Sequence, residues 1–329
     1  MLAVCHRYDR AWWLHGSLNA GVVRCALNHC LAFSLLYLVC SCTATADTGQ
    51  ANEQAASDTN GQASITQKPR WELGIGAGLF SGFDYPASSD SNDRAIALPF
   101  FIYRTPVLRF GDGGLRAVAI ENPRIKLDLS VGGSLNASSD DNSARQGMPD
   151  LDFLFEIGPQ LEVRLLERRL ESGARLRMRF TSELRAVFST DFRGIDSQGL
   201  VADIGVGVNL DNVADTGVSL LAGFDASAAT ERLHDYFYEV DPEFVTDTRP
   251  LFDAQAGYLE SKLFAGIAFR PLPQVRVFGG VIKGFFDGAS NQSSPLFEVT
   301  VQTSFALGVV WTIKSSKDMI DVVDFGSSN

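Results

Sequence analysis

Few residues in this chain could carry out chemistry. Beyond residue 46 the only histidine is His234, and all five cysteines lie at or before Cys42. A Ser-His-acid hydrolase would need His234 as its base, with Ser227, Glu231 and Asp235 as the nearby candidates. A lone histidine in a polar stretch is more often simply solvated. With one histidine and no cysteine, a His/Cys metal set is not expected. The acids Asp235, Glu239, Asp241, Glu243, Asp247 and Asp253 are dense enough to attract Ca²⁺. They lack an ordered Ca²⁺-loop spacing, so they read as solvated charge. The expectation is therefore no catalytic residue, no metal and no cofactor.

The more informative charges alternate with apolar residues. From Ala174 to Phe188, Leu176, Met178, Phe180 and Leu184 fall on one parity, and Arg175, Arg177, Arg179, Glu183 and Arg185 on the other. Glu72, Asp128, Glu162, Arg164, Glu260 and Lys262 occupy equivalent positions in other alternating segments. Period two is the strand signature. In lipid such charges are tolerated only on an inward face. They would form either an internal ion-pair network that fills a barrel or an arginine-lined path favouring anionic solutes. A barrel of about twelve strands lies between filled small barrels and open porins, which favours the network.

The elements that would position these charges are long strands. The segments 151–167, 172–188, 254–270 and 298–313 exceed the usual length of about 5–6 residues and suit tilted bilayer crossings, which need roughly 9–11. Tight connections at Thr105-Pro106, Asn122-Pro123, 168–172, 211–216 and 271–273 alternate with longer ones at 82–92, 136–150, 188–197, 227–253 and 286–297. The short connection 111–114 completes the set. This is the pattern of short periplasmic turns and longer outer loops. The expected fold is an all-β transmembrane antiparallel barrel over 71–313, most simply of twelve strands, with ten as the alternative. An exported β-sandwich or lipocalin-like barrel is the soluble alternative, and it leaves the charged stripes unexplained. Trp71, Phe100, Phe101, Tyr103, Tyr258 and Trp311 are candidates for interfacial aromatic belts.

Targeting agrees with that environment. Arg7, Arg10 and Arg24 precede an apolar run from Cys30 to Cys42 and then Ala44-Thr45-Ala46, so 1–46 reads as a signal peptide. A lipoprotein acylated at Cys40 or Cys42 competes, although Tyr37 and Val39 stand where leucine is preferred. Residues 47–70 are almost free of large apolar side chains and read as a disordered periplasmic linker. Residues 314–329 read as a C-terminal periplasmic tail. The formal charge is −11, and the cut removes more basic residues than acids. Such a chain is a poor partner for nucleic acid. Its expected surroundings are outer-membrane lipid and lipopolysaccharide in a Gram-negative envelope.

Three stretches resemble the MipA/OmpV family of outer-membrane proteins, whose namesake is the MltA-interacting protein. The first is Trp71-Glu-Leu-Gly-Ile-Gly-Ala-Gly with Phe83-Asp84-Tyr85-Pro86 and Leu98-Pro99-Phe100. The second is the loop motif Tyr236, Phe237, Tyr238, Glu239 and Val240, followed by Arg249, Pro250, Leu251, Phe252, Asp253, Ala254 and Gly257. The third is Ser294-Pro295-Leu296. The resemblance implies a non-enzymatic scaffold that tethers a lytic transglycosylase and a peptidoglycan synthase. The chain departs from the family pattern at Glu239, where glycine is common, and in the residues that follow Ile313. A narrow passive channel for small solutes is the alternative function, and a hydrolase using His234 a distant one.

Overall fold

The computed structural model describes residues 65–105, 108–110, 115–117, 120–122 and 124–323. The segment 1–46 read as a signal peptide lies outside the described residues. Ten long strands build the wall: β2 (Trp71–Phe83), β3 (Ser91–Arg104), β7 (Ile125–Ser134), β8 (Phe153–Arg169), β9 (Arg175–Thr190), β10 (Asp196–Val213), β11 (Val218–Ala229), β12 (Gly257–Leu272), β13 (Val275–Phe285) and β14 (Val301–Ser315). Three short pieces, β4 (Leu108–Phe110), β5 (Leu115–Ala117) and β6 (Ile120–Glu121), lie between β3 and β7. The first and last wall strands pair, β2 with β14, and every pairing is antiparallel. At the far ends of the sheet β4 and β5 extend β3, β6 pairs with β7, and β5 lies against β7. The sheet thus curls, and among the described residues ten long strands make the wall, the smaller of the two expected counts, with β4, β5 and β6 as short pieces at its ends.

Parity decides which way each side chain points, because the side-chain period along a strand is two. Leu79, Ile204 and Phe305 are exposed on the outward row, at 59%, 56% and 56%. On the intervening positions sit Lys126, Asp128, Glu162, Arg177 and Arg185, all buried. A register shift between Arg164 and Leu166 puts both Leu165 and Leu166 outside and returns Glu167 to the inward row.

The strand ends differ from expectation in three places. The long strands start and finish two or three residues later than periodicity alone places them, because turns such as Leu170–Ala174, with Gly173 at φ +81°, fix the ends. The connection expected over 188–197 shrinks to 191–195. There the Asp191 carboxylate accepts N–H groups of Arg193 and Gly194 and folds a tight tip. The segments read as linker and tail also contribute structure. Residues Ile65–Pro69 (β1) pair antiparallel with Met319–Val323 (β15), and β14 runs on to Ser315. This ribbon prolongs the β2–β14 seam, with the Ser316 N–H on Trp71 O at 2.9 Å.

The main apolar core sits at the long-loop end. The helix α1 (Glu231–Tyr238) and the loops around Tyr85, Ala137, Leu151 and Ala254 pack onto Leu154, Val187, Val201 and Leu259 of the wall.

Candidate functional site

Most of the inward charge pairs lie on one sector of the wall, from β7 to β12. Arg185 is the hub. Its guanidinium meets Glu156 at 2.8 Å, Asp203 at 2.6 Å and Glu183 on its own strand. Glu183 and Asp203 stand directly opposite each other. That like-charge pair would be unfavourable without the arginine between them. Glu183 also accepts from Gln160 and Ser130, each at 3.0 Å, and Asp203 accepts from Ser227. Towards the turn end Arg177 pairs with Asp211, Arg179 donates to Asn209 at 2.6 Å, and Glu167 pairs with Arg164 at 2.7 Å and Arg175 at 3.7 Å. Lys126 lies 3.1 Å from Asp128 and 3.8 Å from Glu162. Lys262 meets Glu260 at 2.8 Å, and Glu72 meets Arg104 at 2.6 Å. Sequence reasoning missed Arg104, Lys126, Glu156, Glu167, Asp203 and Asp211, although the same parity rule would have found most of them.

From β11 round to β3 the inward row also carries rings lying on glycines. Phe100 faces Gly74, Phe278 faces Gly308 and Phe264 faces Gly223 across strand pairs. A Cβ on any of these glycines would fall 2.2–2.5 Å from the ring. Phe100 is thereby corrected from the aromatic belt to the inward face, because its parity matches Gly74. Trp71 and Tyr103 are opposite each other near the turn end, Phe101 stacks on Tyr103, and Trp311 is exposed. Tyr258 lies near the loop end, its hydroxyl 2.9 Å from Ser261 Oγ.

The loop end holds a plug. Tyr238 is fully buried; its hydroxyl donates to Pro86 O at 3.0 Å, and its own carbonyl accepts from Ser294 Oγ at 2.7 Å. The Tyr85 hydroxyl donates to Leu296 O at 2.8 Å, and the Tyr236 hydroxyl to Asp152 O at 3.1 Å. Val240 is bridged to Phe252, and Phe237 is buried against Tyr238, while Pro250 is exposed. Two buried arginines staple loops through backbone carbonyls. Arg145 donates to Phe237 O and Pro149 O, and Arg249 donates to Phe244 O, Ala144 O and Gln146 O. Burial pushes the Tyr85, Tyr236 and Tyr238 phenols above their ordinary range, so they act as neutral donors.

His234 belongs to this plug. It is buried and stacked beside Tyr238, with Nε2 3.2 Å from Gly257 O, and burial lowers its pKa. Ser227 Oγ instead bonds Asp203 in the lumen. The grouping needed for a hydrolase is therefore split between two networks. Among the described residues no cluster of His, Cys, Asp and Glu is arranged to hold a metal ion.

Several solved outer-membrane proteins match the chain at low similarity. The TodX monoaromatic hydrocarbon channel deltaS2 mutant is 9% identical with a TM-score of 0.29, covering 77% of this chain and 91% of that one. OmpTdeltaL8, a loop L8 deletion mutant of the Vibrio cholerae outer-membrane protein OmpT, is 10% identical with a TM-score of 0.23, covering 74% and 99%. Outer membrane phospholipase A from Escherichia coli is 12% identical with a TM-score of 0.26, covering 74% and 93%. No curated protein matches the chain. Residues 75–313, the wall and its plug, match the family described as MltA-interacting protein MipA. The chain is an outer-membrane β-barrel and belongs to the MipA family.

Proposed function

We infer that this barrel is a non-enzymatic scaffold of the cell envelope, fixed in the outer membrane with its short turns in the periplasm. The observation that supports this reading is the pairing of the inward charges beneath a packed loop end. The lumen wall is lined by ion pairs between neighbouring strands and by rings on glycines, and the loop end is occupied by a hydrogen-bonded apolar plug. A rigid barrel suits an anchor that presents a fixed surface. The family name points to a lytic transglycosylase as a partner, and the resemblance adds a peptidoglycan synthase. In this reading the aromatic girdle of Trp71, Tyr103 and Trp311 sits at the inner headgroup level, and the acidic loops meet lipopolysaccharide on the outside. The test is affinity capture of the tagged chain from crosslinked envelopes. Enrichment of peptidoglycan-cleaving or peptidoglycan-synthesising enzymes is the expected result, and their absence beside a captured outer-membrane control would contradict it.

A further inference from the structure

The chain carries a net charge of −11, yet the turn end of β7–β9 is strongly basic. Arg124, Arg164, Arg168, Arg169 and Arg175 gather there against Glu167 and Glu171. Glu167 is already engaged by Arg164 and Arg175. Arg124, Arg168 and Arg169 are exposed, and among the described residues none of their guanidinium groups has an ion-pair partner. Two short turns hold them. Asn122 Oδ1 accepts the Arg124 and Ile125 N–H groups at 2.9 Å, and the Leu170 N–H meets Ala174 O at 2.8 Å. Arg164 N–H donates to Arg124 O at 2.8 Å, which ties the first turn to β8. Arg169 stands directly across from Arg175. Arg175 is offset by Glu167 and by Asp211 directly across from it on β10, whereas exposed Arg169 has only exposed Glu171 near it in the turn.

Three exposed guanidinium groups, Arg124, Arg168 and Arg169, on a hydrogen-bonded support suit an external anion. We propose that this turn end is a docking surface for the carboxylate-bearing peptidoglycan polymer. The inference rests on the scaffold reading for its periplasmic orientation. Register separates the polymer from the alternative anion, the phosphate headgroup of the inner leaflet. Arg168 lies opposite Leu176 on the outward row, where it reaches the headgroup level. Arg169 lies opposite Arg175 on the inward row, and Arg124 is in the adjoining turn, so both sit on the periplasmic rim rather than against lipid. Multiple guanidinium groups on neighbouring strands also suit a repeating carboxylate polymer better than single ligands, through charge-assisted and bidentate hydrogen bonds.

The test is co-sedimentation of the purified full-length protein, in detergent, with insoluble sacculi and no other protein present. The wild type should pellet at low salt and lose about tenfold in binding at high ionic strength, as expected for exposed charges. An Arg124→Gln/Arg168→Gln/Arg169→Gln variant should lose binding to a similar extent while keeping its heat-modifiable migration on gels. Amidating the carboxylates of the sacculi should abolish wild-type binding. Equal pelleting of wild type and variant would overturn the proposal, as would binding to phosphatidylglycerol vesicles with none to sacculi. Because no enzyme is present, sacculus binding is decided independently of whether enzymes are captured from envelopes.

Discussion

The two sectors of the barrel wall line the same lumen with different chemistry. From β7 to β12 the inward row is carboxylate and guanidinium, with Arg185 shared among Glu156, Glu183 and Asp203. From β12 through β13, β14, β2 and β3 it includes glycine covered by phenylalanine, as where Phe278, 2% exposed, lies on Gly308. The first sector is held by pairing and the second by shape. A charged network tolerates little loss of any member, because each buried charge relies on its partners. A ring laid on glycine tolerates little addition, because there is no space for a Cβ.

The largest effect should come from the charged side. Arg185→Leu leaves three inward carboxylates without their shared cation and should cost about 3–5 kcal/mol, read as a lowered midpoint of urea unfolding in micelles. If the variant unfolds like the wild type, Arg185 is not the hub of that sector.

On the other side the effect should be smaller and come from added volume. Gly308→Val puts atoms where the Phe278 ring lies and should cost about 1–3 kcal/mol. Adding Phe278→Ala to that variant should return part of the loss, a coupling that independent sites would not show. Strict additivity in the same unfolding assay would break the ring-on-glycine account.

Much of this division was legible from parity alone. Arg175, Arg177, Arg179 and Arg185 alternate with apolar residues, and the same rule extends to Asp203 and Asp211, whose glycine- and valine-rich surroundings hid them. Phe100 was misread because an aromatic near a strand end suits either face. The deciding fact is Gly74 opposite it, and that requires the strand pairing. The plug was less legible still. Tyr85 bonds Leu296 from 211 residues away, and Tyr238 bonds Pro86 across 152. Contacts of that range leave no local periodicity, so the Tyr236–Val240 stretch could be recognised by resemblance but not assembled. His234 drew notice as a titratable residue, whereas its place beside Tyr238 is a packing role.

The plug should also respond to pH, by the smallest of these effects. Burial, and then the charge of Asp235, raise the Glu239 carboxyl from its ordinary 4.5 to about 7 at the C-terminal end of α1. A raised carboxyl stabilises the folded loop below its unfolded value, and that contribution is lost as pH rises through about 7. Amide hydrogen exchange in α1, corrected for intrinsic rate, should therefore be slower at pH 5 than at pH 8. Glu239→Gln should flatten the difference. Unchanged pH dependence in that variant would remove Glu239 from the explanation.

The central claim is that pairing, rings and plug together leave no open path through the barrel. Single-channel recording in planar bilayers tests it most directly. Purified wild-type protein, inserted in its heat-modifiable folded form, should give no resolved conductance step at moderate voltage. A stable, reproducible step that scales with salt concentration would contradict the account and make the arginine-lined wall a solute pathway.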